Sequence, residues 1–140
     1  MAAPTYRVLS ESEAIRRCQQ ESLAFAHRLR SAPGRTAAAS SVVVDARTGK
    51  VYHGVSRSGR SVPDKIHPTL RSRMPNPSLE AWEPANCAEF NALNRALLDG
   101  ASLNDLFIYT VRPGGRFGPT PLARCANCRI TTAGAISITP

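Results

Sequence analysis

Cys87-Ala88-Glu89-Phe90-Asn91-Ala92-Leu93-Asn94-Arg95-Ala96-Leu97-Leu98 orders the rest of this 140-residue chain. Phe90, Leu93 and Leu97 recur at helical spacing and Gly100 follows as a terminator, so residues 87–98 are predicted to form one amphipathic helix. Working outward, residues 38–45 are apolar and β-branched at Val42-Val43-Val44. Thr48-Gly49-Lys50 supplies a turn and residues 51–55 a partner strand, which makes a hairpin. On the other side, residues 106–111 read as a third strand ended by Arg112-Pro113-Gly114-Gly115. A short helix from Cys125 to about Thr132 and a last strand over 135–139 follow. Upstream, Ser10 can cap a helix over 10–30 with Glu13 as its capping-box partner, and Ile15, Cys18, Leu23, Ala26 and Leu29 mark its apolar side. Single strands separated by helices demand crossovers and parallel pairing. The class is therefore α/β with a mixed four- or five-stranded sheet, antiparallel at the initial hairpin.

The chain is long enough for one domain and too short for two: an N-terminal helical part over 1–35 and a core over 38–140. Its hydrophobic fraction is 42% and no apolar run approaches the ~18 residues of a membrane span, so no membrane partner is expected. The first ten residues lack the charged start and apolar stretch of a secretory signal, so no export address is expected. Net charge is +8, and of the 18 basic residues 16 are Arg. Residues 1–73 hold 13 Arg and Lys against 5 Asp and Glu, whereas residues 74–140 hold 5 of each. Such asymmetry suits a fold that grips a polyanion with one part and does chemistry with another, and equally suits a solvated basic surface. From Arg57 to Asn86 regular patterning disappears and Pro63, Pro68, Pro75, Pro77 and Pro84 forbid it, which predicts a long loop of the kind that carries function.

The helix at 87–98 starts on a cysteine and the helix after Cys125 starts on a CxxC, Cys125-Ala126-Asn127-Cys128. A helix N-terminus places partial positive charge beside a sulfur and favours the thiolate, the form that binds metal. Cys125 and Cys128 fall on one side of a helical turn, and Cys87 can close the set from the other helix. His27, His53 and His67 lack partner spacing, so three ligands are predicted, with one coordination position left for water. Glu89, two residues after the first ligand, can carry protons to and from that water. Competing readings exist for each residue. Asn86 and Glu89 can be an ordinary N-cap and capping box; CxxC can be a redox pair or half of a structural zinc knuckle; Cys18 reads as a small buried hydrophobe. The coincidence of Cys87, Glu89 and the downstream CxxC favours the metal site.

This constellation resembles the zinc-dependent nucleoside and nucleic-acid deaminases, whose signature pairs HxE with PCxxC. Asn86-Cys87-Ala88-Glu89, with Ala92-Leu93 shortly after, looks like the CAE variant of the YwqJ-like bacterial deaminase toxins. Cys stands for the frequent His as first ligand. Arg124 precedes Cys125 where the signature has proline, the nearest being Pro121. The resemblance implies a cytidine deaminase-like three-layer α/β/α fold, one catalytic Zn2+ on Cys87, Cys125 and Cys128, and Glu89 as proton carrier. It implies hydrolytic attack at C4 of a cytosine or C6 of an adenine by a toxin module. The +8 charge favours a nucleic-acid substrate, and the reading taken is conversion of cytosine to uracil in DNA, on a single-stranded or flipped-out base, by a monomer. Such a module is secreted as part of a larger protein, acts in the cytoplasm of a target bacterium and is countered by an immunity protein. The alternatives are a nucleoside or RNA-base deaminase and a zinc-stabilised nucleic-acid-binding module without chemistry. Candidate substrate contacts are Trp82 and Phe117 for stacking, His53 and Asn86 for lining the pocket, and Arg57, Arg60, Arg71 and Arg73 for phosphates.

Overall fold

The computed structural model describes residues 6–58 and 61–138. Helix α1 (Glu11–Ser31) starts as expected: the Glu13 amide donates to Ser10 Oγ and the Ser10 amide to Glu13 Oε1. Strand β1 (Ser40–Asp45) pairs antiparallel with β2 (Val51–Val55) in the expected hairpin. Helix α3 (Ala88–Leu98) leads into β3 (Leu106–Arg112), and the two-residue strand β4 (Thr120–Pro121) precedes helix α4 (Ala126–Thr131) and strand β5 (Ile136–Ser137).

Two differences from the sequence expectation matter. The proline-rich stretch contains a six-residue helix, α2 (Pro68–Arg73), capped by His67 Nδ1 accepting from the Thr69 amide and opened by Pro68 at a position where no amide hydrogen is needed. A 3-10 turn (Pro84–Asn86) also precedes α3. In the sheet, β1 is flanked by β2 and β3, and both run antiparallel to it. The crossover through α3 thus joins two strands of the same direction that are not neighbours, because β1 lies between them. The only parallel pair in the described sheet is β3 with β5; β4 pairs antiparallel with the far end of β3.

The sheet splits the core in two because alternate residues of a strand face opposite ways. Val42, Val44 and Phe107 pack with Ala14 and Cys18 of α1. Val43 and Ile108 pack on the other face with Phe90, Leu93 and Leu97 of α3. Each such large side chain withdrawn from water contributes about 1.5–3 kcal/mol, which holds a helix on either face and yields the three-layer α/β/α arrangement. Cys18 is fully buried with its thiol donating to the Val42 carbonyl, and burial raises it to about 12.

The register brings three chain segments to one end of the sheet. Ser40, the first residue of β1, is paired with Val55 at the end of β2 and with Val111 near the end of β3. Helix α3 reaches the same end through Gly54, where an added Cβ would stand 2.4 Å from the Ala92 nitrogen and 2.5 Å from the Ala88 carbonyl oxygen. Only glycine lets the first turn of α3 lie this close to β2.

Candidate active site

Cys87 is the residue before the first turn of α3, with extended backbone (φ −72°, ψ 141°) and no side-chain cap of its own. Cys125 holds the equivalent place on α4, and Cys128 faces inward one turn later, fully buried. The three sulfurs all lie within 4.8 Å of one another, and Cys87 and Cys125 are 3.5 Å apart. Tetrahedral zinc with Zn–S bonds near 2.3 Å sets thiolate sulfurs about 3.8 Å from each other, so the spacing and the soft donor type both fit that ion. Among the described residues no fourth metal-ligating side chain joins this group.

The sulfurs also share their charge. Cys125 accepts from Cys128 and Cys87 and is lowered to about 2, the hydrogen bond from Cys128 being the larger cause. Cys87 is pushed up to about 12, first by its bond to Cys125, and Cys128 is raised by its bonds to Cys125 and Cys87 and by burial. Converging thiols of this kind bind a metal ion as thiolates, so binding releases protons.

Glu89 sits on the first turn of α3, 6% exposed, with Oε2 3.7 Å from Cys128 Sγ. Burial pushes its carboxyl above the usual range, partly opposed by hydrogen bonds from its own amide, Cys128 and Thr110. It does not act as a capping-box partner of Asn86. The Asn86 side chain instead accepts from the Glu83 amide at 3.2 Å and donates to the Ser61 carbonyl at 2.7 Å. Asn86 thus ties two points of the preceding loop, Ser61 and Glu83, to the start of α3, and both ends of its amide are in use.

Cys87, Glu89, Asn86 and Trp82 all line one cavity of about 1190 Å³, roomy enough for a nucleotide with neighbouring phosphates. Trp82 is not a core anchor: it is 45% exposed, and its Nε1–H donates to Cys87 Sγ at 3.2 Å. Arg57 also lines the cavity, joined there by Arg35 and Arg112. Sequence reasoning did not select these last two, because they approach Arg57 only through the register of three strand ends. Thr110, also unselected, lines the cavity and shares a hydrogen bond of 3.0 Å with Ser41.

Other candidates stand elsewhere. His53 shares the α1 face of the sheet with its partner Val42, its ring 4.6 Å from that of Phe25, on the side away from Glu89. Phe117 is 80% exposed beneath the Arg116 guanidinium and is not among the cavity-lining residues. Arg71 and Arg73 belong to α2, outside the cavity lining, and Arg73 donates to the Ala133 carbonyl. Arg60 falls outside the described residues.

Comparison with known proteins agrees with the geometry. The family model of the YwqJ-like deaminases matches residues 26–135, which include the whole sheet apart from its last short strand and every residue of the three-sulfur site. Toxin YwqJ of Bacillus subtilis (strain 168) is 34% identical over 103 residues, 64% of this chain. The chain spans 17% of the length of that relative. No solved structure matches. With the matched segment covering most of the chain and the sulfur trio and Glu89 inside it, the chain belongs to the YwqJ-like deaminase family.

Proposed function

We propose that this domain is a zinc-dependent hydrolytic deaminase that converts cytosine to uracil in DNA, and that it is the toxic module of a larger secreted bacterial protein. One observation carries the reading: a buried carboxylate, Glu89, lies 3.7 Å from the sulfur of one member of a three-cysteine cluster, at the wall of a cavity bordered by three arginines. Zinc held by Cys87, Cys125 and Cys128 would supply a water acidified from a pKa of about 16 toward neutrality. The protein's own residues do the rest. Glu89 takes one proton from that water and passes it to N3 of the ring, then takes the second from the new C4 hydroxyl and delivers it to the departing amino group. The water oxygen bonds to C4, the C4–N bond breaks, ammonia leaves and a carbonyl remains.

A polymer substrate is favoured over a free nucleoside because Arg35, Arg57 and Arg112 border the cavity, and guanidinium groups pair with phosphates. Trp82 offers an exposed indole at the same wall for stacking an unpaired base. By analogy with a toxin, action in the cytoplasm of a target bacterium and neutralisation by an immunity protein follow, the latter by covering this cavity.

The test is to incubate the purified protein with a randomised DNA pool, single- and double-stranded, and with the equivalent RNA pool and free nucleosides, then sequence or chromatograph the products. Cytosine-to-thymine changes in DNA, lost in Glu89→Ala while about one zinc per chain is retained, are expected. Conversion confined to RNA or nucleosides overturns the DNA assignment. Nucleic-acid binding with no turnover in any arm shows a zinc-stabilised binding module instead.

A further inference from the structure

The loop from Ser78 to Trp82 is fastened to the CxxC segment at several points. Asn127, the fully buried third residue of that segment, accepts from the Leu79 amide at 3.0 Å and donates to Ser78 Oγ at 2.9 Å. Glu80 Oε1 accepts from the Ala126 amide at 3.0 Å. Ser78 Oγ accepts from the Glu80 amide at 3.3 Å as well, and its hydroxyl donates to the Trp82 carbonyl. That hydroxyl has one donor and two acceptor sites, and all are used. The turn is therefore locked to residues between Cys125 and Cys128, and its far end delivers the indole N–H to Cys87, the ligand on the other helix. One loop spans the two halves of the sulfur cluster.

Nothing about burial requires this arrangement. With 45% of its surface exposed, Trp82 gains less from desolvation than a core tryptophan would. Cys125 is served at its sulfur by the backbone amides of Cys128 and Asn127, whereas Cys87 receives its hydrogen bond from a side chain of the loop, the Trp82 indole. Donors to ligand atoms fix ligand orientation and withdraw charge from the sulfur, and their removal typically weakens metal binding by 10–100-fold.

We infer that Trp82 is a positioning residue of the metal centre: its indole N–H holds the Cys87 sulfur in ligating orientation, and the Ser78–Trp82 loop, anchored on Asn127 and Glu80, transmits the position of the CxxC ligands to Cys87. The inference rests on the reading of the three sulfurs as a zinc site. It adds that metal binding and the cavity wall formed by the indole are set by one hydrogen-bonded unit.

The experiment uses the full chain, metal-free and then titrated with zinc or cobalt(II). Trp82→Phe keeps an aromatic ring while removing the N–H together with the five-membered part of the indole, so the spectral readout below is what separates the lost hydrogen bond from lost bulk. Competition against a chromophoric chelator should show zinc affinity about 10–100-fold below that of the unaltered protein. The sulfur-to-cobalt charge-transfer bands of Trp82→Phe should shift, a signature that loss of packing alone would not give. Trp82 is the only tryptophan in the chain, so a third readout needs no substitution: indole fluorescence of the unaltered protein should change with added zinc and saturate at one ion per chain. Equal affinity and identical cobalt spectra in Trp82→Phe, or flat fluorescence across a titration in which zinc binds, overturn the inference and leave the proposed function standing. Zinc binding that behaves as expected here with no deamination of any pool overturns the proposed function and leaves the inference. Failure of the unaltered protein to bind zinc sinks both.

Discussion

At the scale of single residues, the same chemical type takes opposite roles according to what the fold places around it. Glu89 and Asp99 are the carboxylates near the two ends of α3. Burial raises the first, whereas hydrogen bonds from Tyr52 and Lys50 lower the second. His53 shows the cost of a polar group without a partner. Its Nε2 is buried with no hydrogen bond, and burial, with Arg28 and Arg95 nearby and only Glu21 opposing, lowers its pKa below the ordinary 6.5. The folded state therefore binds the His53 proton less readily than the unfolded chain does, so His53 lowers stability as pH falls through about 6.5 toward its folded value. Urea midpoints measured between pH 7.5 and 5 should decline in the unaltered protein and decline less in His53→Gln; identical slopes would show that His53 is solvated as freely when folded as when unfolded.

At the scale of elements, the seat of α3 on β2 is the contact that aims Glu89. Gly54→Ala would force a methyl group against the Ala92 nitrogen and the Ala88 carbonyl, both backbone atoms that cannot step aside without moving the helix. The expected loss is about 1–3 kcal/mol, typical of overpacking, read as a lowered thermal midpoint. Zinc affinity should fall with it, because Cys87 precedes the displaced turn. A variant as stable as the parent would mean that α3 can lift off β2 freely. How much of these elements could be read in advance follows from what fixes each. Helix α1, the β1–β2 hairpin, α3 and β3 declared themselves through capping residues, a Gly-containing turn and periodic apolar side chains, all local in sequence. Helix α2 did not: it is six residues long and sits among prolines, and what stabilises it is a histidine cap together with contacts to α4. The antiparallel match of β1 with β3 was likewise hidden, since it depends on pairing residues more than sixty positions apart. The gathering of Cys87, Cys125, Cys128 and Glu89 was legible because metal chemistry restricts residue type and spacing. Trp82 was legible as an aromatic but not as a donor to sulfur, and Asn127 was overlooked inside the very CxxC that was read, because its role appears only when the distant Ser78–Trp82 loop folds against it.

At the scale of the whole molecule, charge is gathered rather than merely in excess. In sequence the surplus of +8 lies in residues 1–73, and Arg112 belongs to the neutral half. In space, Arg35 before β1, Arg57 after β2 and Arg112 at the end of β3 meet at the sheet end where α3 presents Cys87 and Glu89. The topology makes this convergence unavoidable: with β1 antiparallel to both neighbours, its start adjoins both of their ends. A strand of DNA entering the cavity would therefore meet cations from three sides, and each phosphate neutralised would release counterions with a salt slope of about 0.7 per contact for single strands. Affinity of Glu89→Ala protein for a single-stranded oligonucleotide, measured across a salt series, should fall linearly on a logarithmic plot. Adding Arg57→Ala should flatten that line by about 0.7, and adding Arg35→Ala as well should flatten it by about twice as much. Arg71→Ala, on α2 outside the cavity, should leave the slope where it was. If removing Arg71 flattens the line while removing Arg57 does not, the polyanion runs over α2 instead, and the cavity arginines serve only to keep that end of the sheet hydrated.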